Sequence, residues 1–373
     1  MPIIDNRQHN VLSSSVDERV RALSVVQKLL SRPDFGAMAA VLLVFGFFAT
    51  IAGDSGMFAA DGVLNWTTVS AQLAVLAIGA CLLMIAGEFD LSIGSMIGFA
   101  GMVIAIPALY WGWPLWASIM LAFATAMSLG ALIGYIVIRT GLPSFIVSLA
   151  FLFILRGLTI ALSILFTDKT IVSGVNKVAE NDWLAPLFGG EFGQSLFVWL
   201  ANIGVIDSYA EGEPIVTGIP MIVGWSILLV MLGSAVLHYT RFGNWIFATG
   251  GDQQAAQNMG VPTAKVKILL FVLTAFCATV YATCQVVEFG SAAADRGVLK
   301  EFEAIIAVVI GGTLLTGGYG SVIGALFGAL IFGVVQIGLF FSGISSDWFR
   351  VFVGLMLLIA VLFNNFIRRR IIR

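Results

Sequence analysis

Charge, histidine and cysteine are scarce in this 373-residue sequence, and each shortage closes off a class of function. Asp, Glu, Lys and Arg make up 11% of the residues, against about 25% in an ordinary soluble domain. A chain so poor in charge cannot cover a water-facing surface of normal size. With 59% of its residues hydrophobic, lipid is the solvent that fits it. A formal net charge of −2 implies no nucleic-acid partner. The two histidines, His9 and His238, are far apart, so no metal site is expected. Cys81, Cys277 and Cys284 fall in or near apolar runs and offer neither a disulfide framework nor a spaced metal cluster. Enzyme signatures are also missing: there is no G-x-S-x-G, no H-E-x-x-H and no G-x-x-x-x-G-K-[ST]. No catalytic residue and no cofactor of the chain's own are expected, and any ATP-driven step would need another subunit.

What is present is apolar length. A spanning helix needs about 20 apolar residues. Ten stretches qualify, at roughly 36–53, 69–86, 91–110, 115–138, 143–166, 217–239, 264–287, 302–316, 319–341 and 347–367. The expected fold is all-α, a polytopic membrane protein of about ten transmembrane helices. The eighth stretch is short and ends in Gly311, Gly312, Gly317 and Gly318, so it reads as a broken or re-entrant segment or a full crossing.

Basic residues give the orientation. With a cytoplasmic N-terminus, 13 of the 19 Lys and Arg lie on the inner side, among them Arg19, Arg139, Arg241, Lys267 and the cluster Arg368–Arg370. Four lie outside: Lys169, Lys177, Arg296 and Lys300. That bias predicts both termini in the cytoplasm. Residues 1–35 then form a cytoplasmic N-terminal segment. It carries no signal-peptide core, and Val20, Leu23, Val26 and Leu30 at helical spacing read either as an amphipathic helix on the membrane surface or as a solvated tail. Residues 36–367 form the transmembrane domain, with an external loop at 167–216 and an internal loop at 240–263. Residues 368–373 form a basic tail. Trp111, Trp113 and Trp116 sit where an outer aromatic belt belongs. The echo between GSMIGFAG at Gly94–Gly101 and GSVIGALFG at Gly320–Gly328 reads either as a duplication or as the small residues common at helix contacts.

The internal loop carries the clearest local signal. Gly250 and Gly251 break the chain, and Asp252 can cap a new helix by accepting from its free N–H groups. Gln253 to Met259 supply two turns, Gly260 suits a left-handed cap, and Pro262 stops the helix. The expectation is a short capped helix outside the bilayer that exposes Ala255, Ala256 and Gln257. Elsewhere Glu88 and Asp90 lie at a turn between spans. If the turn dips into the bilayer, Ser92, Gly94 and Ser95 line a cavity and Asp90 is a pathway or packing residue; otherwise Asp90 caps the next helix through Ile93. Arg156 falls in mid-span and needs a partner, for which Glu301 and Glu303 are the candidates; a sugar contact is the other reading. Asn65, Gln72, Gln285 and Gln336 could bond a sugar hydroxyl or another helix.

These segments together resemble the permease family of sugar-importing ABC transporters, the ribose, xylose and galactose type. In that family a loop with a glycine, an Ala-Ala pair and a closing Gly-[Ile/Val] docks on the ATPase. Gly251, Ala255, Ala256, Gly260 and Val261 match it, with Asp252 beside them as the cap. GEFDLSIGS at Gly87–Ser95, GLPSFIVSLAFLFILRG at Gly141–Gly157 and the segment from Glu301 to Ala329 are similar to three further family motifs in order. Glu88 departs from the family's usual Gly, Glu303 from its frequent Asp, and the external loop is longer.

The resemblance implies a permease in a bacterial inner membrane that carries a small neutral sugar or polyol. Its partners would be two ATPase subunits, an external sugar-binding protein and a second permease copy. Asp90, Ser92, Gly94, Arg156 and Glu303 are then the translocation-path candidates. The competing expectations are an ion-coupled secondary transporter, a passive channel or scaffold, and an ABC permease for a nucleoside or branched-chain amino acid. The first of these usually needs ionisable relays in its spans, and they are few here.

Overall fold

The computed structural model describes residues 33–209, 213–345 and 347–371. The amphipathic N-terminal helix expected from the sequence and the last two residues of the basic tail lie outside them. Fifteen α-helices follow one another among the described residues. The long ones are α1 (Pro33–Ile51), α2 (Ala60–Ile85), α3 (Ile93–Tyr110), α4 (Leu115–Thr140), α5 (Ser144–Thr167), α9 (Met221–Tyr239), α12 (Thr263–Phe289), α14 (Val322–Phe341) and α15 (Asp347–Ile371). Seven of these, α2 to α5, α9, α12 and α14, are long and apolar enough to cross a membrane. α1 has a shorter apolar stretch, Gly36–Ile51. The protein is thus a mostly helical polytopic membrane protein of the all-α class.

Burial divides the helices. α2, α3, α12 and α14 are mostly enclosed, while α4, α5 and α9 expose most of their apolar surface, including Phe153, Leu165 and Met231. In lipid those faces need no cover. α12 is central and packs on α2, α3 and α4; α14 packs on α1, α2 and α13 (Lys300–Ile310). Lipid gives helices no hydrophobic reason to associate, so close approach through small residues has to hold them. Gly130 and Gly134 of α4 bring its backbone against Phe271 of α12. Gly328 of α14 lies on the carbonyl of Ala307 in α13, where a Cβ has no room. Gly328→Ala is expected to push α13 off α14 and destabilise the protein by about 1–3 kcal/mol. That would be read as a lower thermal midpoint in detergent, and an unchanged midpoint would refute the contact.

α13 has 11 residues, so at 1.5 Å per residue it is roughly 16 Å long, about half the hydrocarbon thickness. It is a half-helix. Its companion stretch, 294–301, runs beside the first turns of α3, for Gly98 meets the carbonyls of Ala294 and Arg296, and Gly94 meets Gly297 and Glu301. Arg296 and Lys300, counted with the outer loops from the sequence, are therefore half-buried against the bundle, and Glu301 beside them is 1% exposed. Segment 167–216 carries short helices α6 (Val175–Ala179), α7 (Pro186–Gly189) and α8 (Gln194–Asn202) with strands β1 (Ile171–Ser173) and β2 (Glu191–Phe192). β1 pairs antiparallel with β4 (Ser291–Ala293), and β2 with β3 (Ile219–Pro220).

Candidate functional site: the capped helix and its ties to the bundle

Between α9 and α12 the chain forms two helices, α10 (Arg241–Gly251) and α11 (Gln253–Asn258). Asp252 stops one and starts the other. Its Oδ1 accepts from the backbone N–H groups of Gln254 and Ala255, both at 2.9 Å, which satisfies two of the first-turn donors that a helix leaves free. At the other end Gly260 takes φ +83°. Val261 N–H donates to Ala256 O at 3.0 Å and Gly260 N–H donates to Gln257 O at 2.9 Å, the pair of bonds that closes a helix through a left-handed glycine. The short capped helix that the sequence encodes is present with both its caps.

One feature of that expectation fails. Ala256 is 6% exposed and faces the protein, while Ala255 and Gln257 face outward. Each residue steps 100° around a helix, and the rotation at which α11 packs turns Ala256 toward the bundle. Gly251, Asp252 and Gly260 are exposed and Val261 is half-buried.

α11 is fastened to the membrane bundle twice. First, three glycine turns meet backbone to backbone above it. Gly318 N–H donates to Ile85 O at 2.8 Å. A Cβ on Gly317 would come within 2.8 Å of Gly87 Cα, one on Gly318 within 2.9 Å of Gly251 Cα, and Gly250 has no room for one against Ile85 O. Second, Lys267 on the first turns of α12 forms an ion pair with Glu88 and donates to Gln253 Oε1 at 2.6 Å. Both charged residues are buried, Lys267 at 6% and Glu88 at 9% exposure. A cavity of about 410 Å³ opens beside them, lined by Gln253, Gln257, Thr263 and Pro143 among others.

The sequence placed Glu88 at a turn between spans and as a departure from the family, without a partner, and counted Lys267 as a loop charge. The signal available was position: Lys267 stands five residues into an apolar helix, where a lysine needs a partner. α10 was missed as well. Thr240, which accepts from Gly243 N–H at 3.2 Å, and the spacing of Phe242, Trp245, Ile246 and Thr249 could have found it, but three glycines obscured the pattern.

The turn between α2 and α3 is buried. Asp90 Oδ1 accepts from Ser92 N–H at 2.8 Å and Ser92 Oγ–H at 2.6 Å, and its Oδ2 accepts from Thr274 Oγ1–H at 2.6 Å. Asp90 does not cap α3 through Ile93; it closes its own turn and bonds it to α12. Ser95 Oγ–H donates to Leu152 O at 2.9 Å, and Phe89 N–H donates to Ser144 Oγ at 3.0 Å, so the turn is also bonded to α5.

Of the two partners considered for Arg156, Glu301 is the one in place, at 3.6 Å and 1% exposure, with Gly94 packed beside it. Glu303 pairs instead with Lys300. Asp90, Ser92 and Thr274 thus form one cluster and Arg156, Glu301 and Gly94 another, while Glu303 faces a third space with Gln72 and Gln336.

A family model described as the permease component of the branched-chain amino acid transport system matches residues 62–361. A xylose transport system permease protein, XylH of Escherichia coli (strain K12), is 30% identical, with 92% of this chain and 94% of that protein covered. A ribose import permease protein, RbsC of the same strain, is 30% identical over 88% of this chain and 92% of its own length. An inner membrane ABC transporter permease protein, YjfF, is 29% identical over 86% and 88%. No solved structure matches.

Proposed function

The chain belongs to the permease-component family of ABC importers, and from that membership we propose that it translocates a small neutral sugar or polyol across a bacterial inner membrane. It is a multi-pass membrane permease and not an enzyme. The reading rests above all on likeness along almost the whole length to permeases named for xylose and ribose. The family description mentions branched-chain amino acids. A zwitterionic cargo would need fixed counter-charges along its path, whereas the ionisable groups Arg156 with Glu301, Lys267 with Glu88 and Lys300 with Glu303 are already paired within the bundle.

In this reading α11 is the coupling helix. Gly251, Asp252, Ala255, Gly260 and Val261 present it on the cytoplasmic side to a separate ATPase, and Ala256 seats it against the chain. ATP and its closure of the ATPase pair are supplied there, with no nucleotide or other cofactor held by the permease. Closure drives α11 sideways. The glycine junction has no side chains to yield, so the displacement passes to the Glu88–Ser92 turn and the Gly311–Ser321 turn. The bundle then rocks between outward-open and inward-open states. A binding protein delivers cargo at the outer surface made by segment 167–216, a second permease copy completes the path, both termini are cytoplasmic, and α1, α13 and α15 bring the membrane segments to about ten.

The test is uptake of D-xylose and D-ribose into proteoliposomes holding the permease, its ATPase and binding protein. Uptake is expected to require ATP hydrolysis and to ignore ionophores. Uptake that persists without the ATPase and collapses with an ionophore would replace this reading with ion-coupled transport.

A further inference from the structure

Midway through the bundle, between α2, α12, α13 and α14, lies a polar pocket lined by Gln72, Tyr281, Lys300, Glu303 and Gln336. We propose that this pocket is where the hydroxyl groups of the cargo are held in passage, a proposal that rests on the sugar-importer reading.

Depth is the first support. Gln72 is the thirteenth of the 26 residues of α2, Tyr281 lies two-thirds of the way along α12, and Gln336 three-quarters along α14. These are the levels at which hydrocarbon surrounds the bundle. Polar groups there carry a cost and are usually functional. The cluster also sits where α13 begins, and a broken helix at membrane depth is tolerated where its ends line a cavity.

The chemistry of the lining is the second. Two carboxamides each donate and accept. The Lys300–Glu303 pair offers a donor and an acceptor with no net charge. Gln285 is 9% exposed and donates from Nε2 to Tyr281 Oη at 3.0 Å. That bond occupies an acceptor position of the phenol and leaves its O–H free to donate into the pocket. Gln285 Oε1 has no hydrogen-bond partner among the described residues. Paired donors and acceptors without a net charge suit a neutral polyhydroxylated molecule and not an ion.

Exposure is the third. Gln72 and Gln336 are half-buried, and the side chains of Lys300 and Glu303 are 26% and 16% exposed. Lysine and glutamate at this level cannot face acyl chains, so the open side of the pocket looks onto water. The pocket measures about 40 Å³, room for one or two waters. In this conformation it is too small for a sugar, and cargo enters only when α2 and α14 part from α12 and α13.

Two measurements test the proposal. Gln336→Leu, Tyr281→Phe and Gln72→Leu, each reconstituted with ATPase and binding protein, are expected to raise the KM for uptake about fivefold to tenfold and to change the D-xylose to D-ribose ratio. ATP hydrolysis stimulated by the binding protein should stay within about twofold of wild type, because no coupling group is touched. Wild-type KM and sugar ratio in all three overturn the proposal. The second measurement needs no ATPase. Gln336→Cys should react with a membrane-impermeant methanethiosulfonate at least about tenfold faster than Leu228→Cys on the exposed face of α9, as water access requires. Equal rates place the pocket against lipid and overturn it. Wild-type vesicles that take up neither sugar would count against the importer reading itself, and a reactive Gln336→Cys would still support a water-filled pocket.

Discussion

Ala255→Arg is expected to abolish ATP-driven uptake while the protein still inserts and folds. Ala255 is exposed on α11, and Asp252, whose carboxylate bonds its backbone N–H, fixes how it is presented. A helix of six residues has little surface, so a partner cleft that receives it must close on small side chains, and a long cation at the centre of that contact keeps the surfaces apart. Uptake should fall at least about tenfold, the loss that 1.4 kcal/mol of docking energy produces, and the ATPase should no longer co-purify. Because the side chain points to water, the thermal midpoint in detergent should hold within about 2 °C. Ala256→Arg is the wrong variant for this purpose: it would force a guanidinium into a position 6% exposed and unfold the helix it was meant to probe. Wild-type uptake by Ala255→Arg would remove α11 from the coupling path.

Much of this was legible from residue order because the physics involved is local. A carboxylate after a glycine pair caps a helix whatever surrounds it, so Asp252 and Gly260 did in the structure what their positions required. Apolar length gave the helices, and seven of the ten stretches return as helices long enough to cross. Two others show the limit of that signal: α1 is shorter in its apolar part and α13 is a half-helix.

What was not legible depends on distant parts of the chain. Hydropathy placed Lys300 outside and Glu301 near the outer start of a span, but the approach of α3 through Gly94 and Gly98 draws that segment inward. The need of Arg156 for a carboxylate was readable from its place in mid-span. The choice of Glu301 over Glu303 was not, because residues two apart on a helix differ by about 200° and only packing fixes the rotation. The inward turn of Ala256 was hidden for the same reason.

Lys267→Met is expected to have the largest effect on stability. Its ammonium is buried, joined to Glu88 and bonded to Gln253. Losing one member of a buried pair leaves the other charge without compensation, a loss of about 3–5 kcal/mol. Replacing both partners removes the stranded charge, so Glu88→Gln combined with Lys267→Met should recover most of the single variant's loss in thermal midpoint. A merely structural pair would end there. This one also joins α11, through Gln253, to the turn that holds Asp90 against Thr274. The double variant should therefore fold and still bind the ATPase, yet hydrolyse more ATP per sugar imported than wild type, because a displacement of α11 reaches the turn through the glycine junction alone. A double variant with wild-type coupling would make the glycine contact sufficient, and a stable Lys267→Met would mean that Glu88 finds water once the lysine is gone.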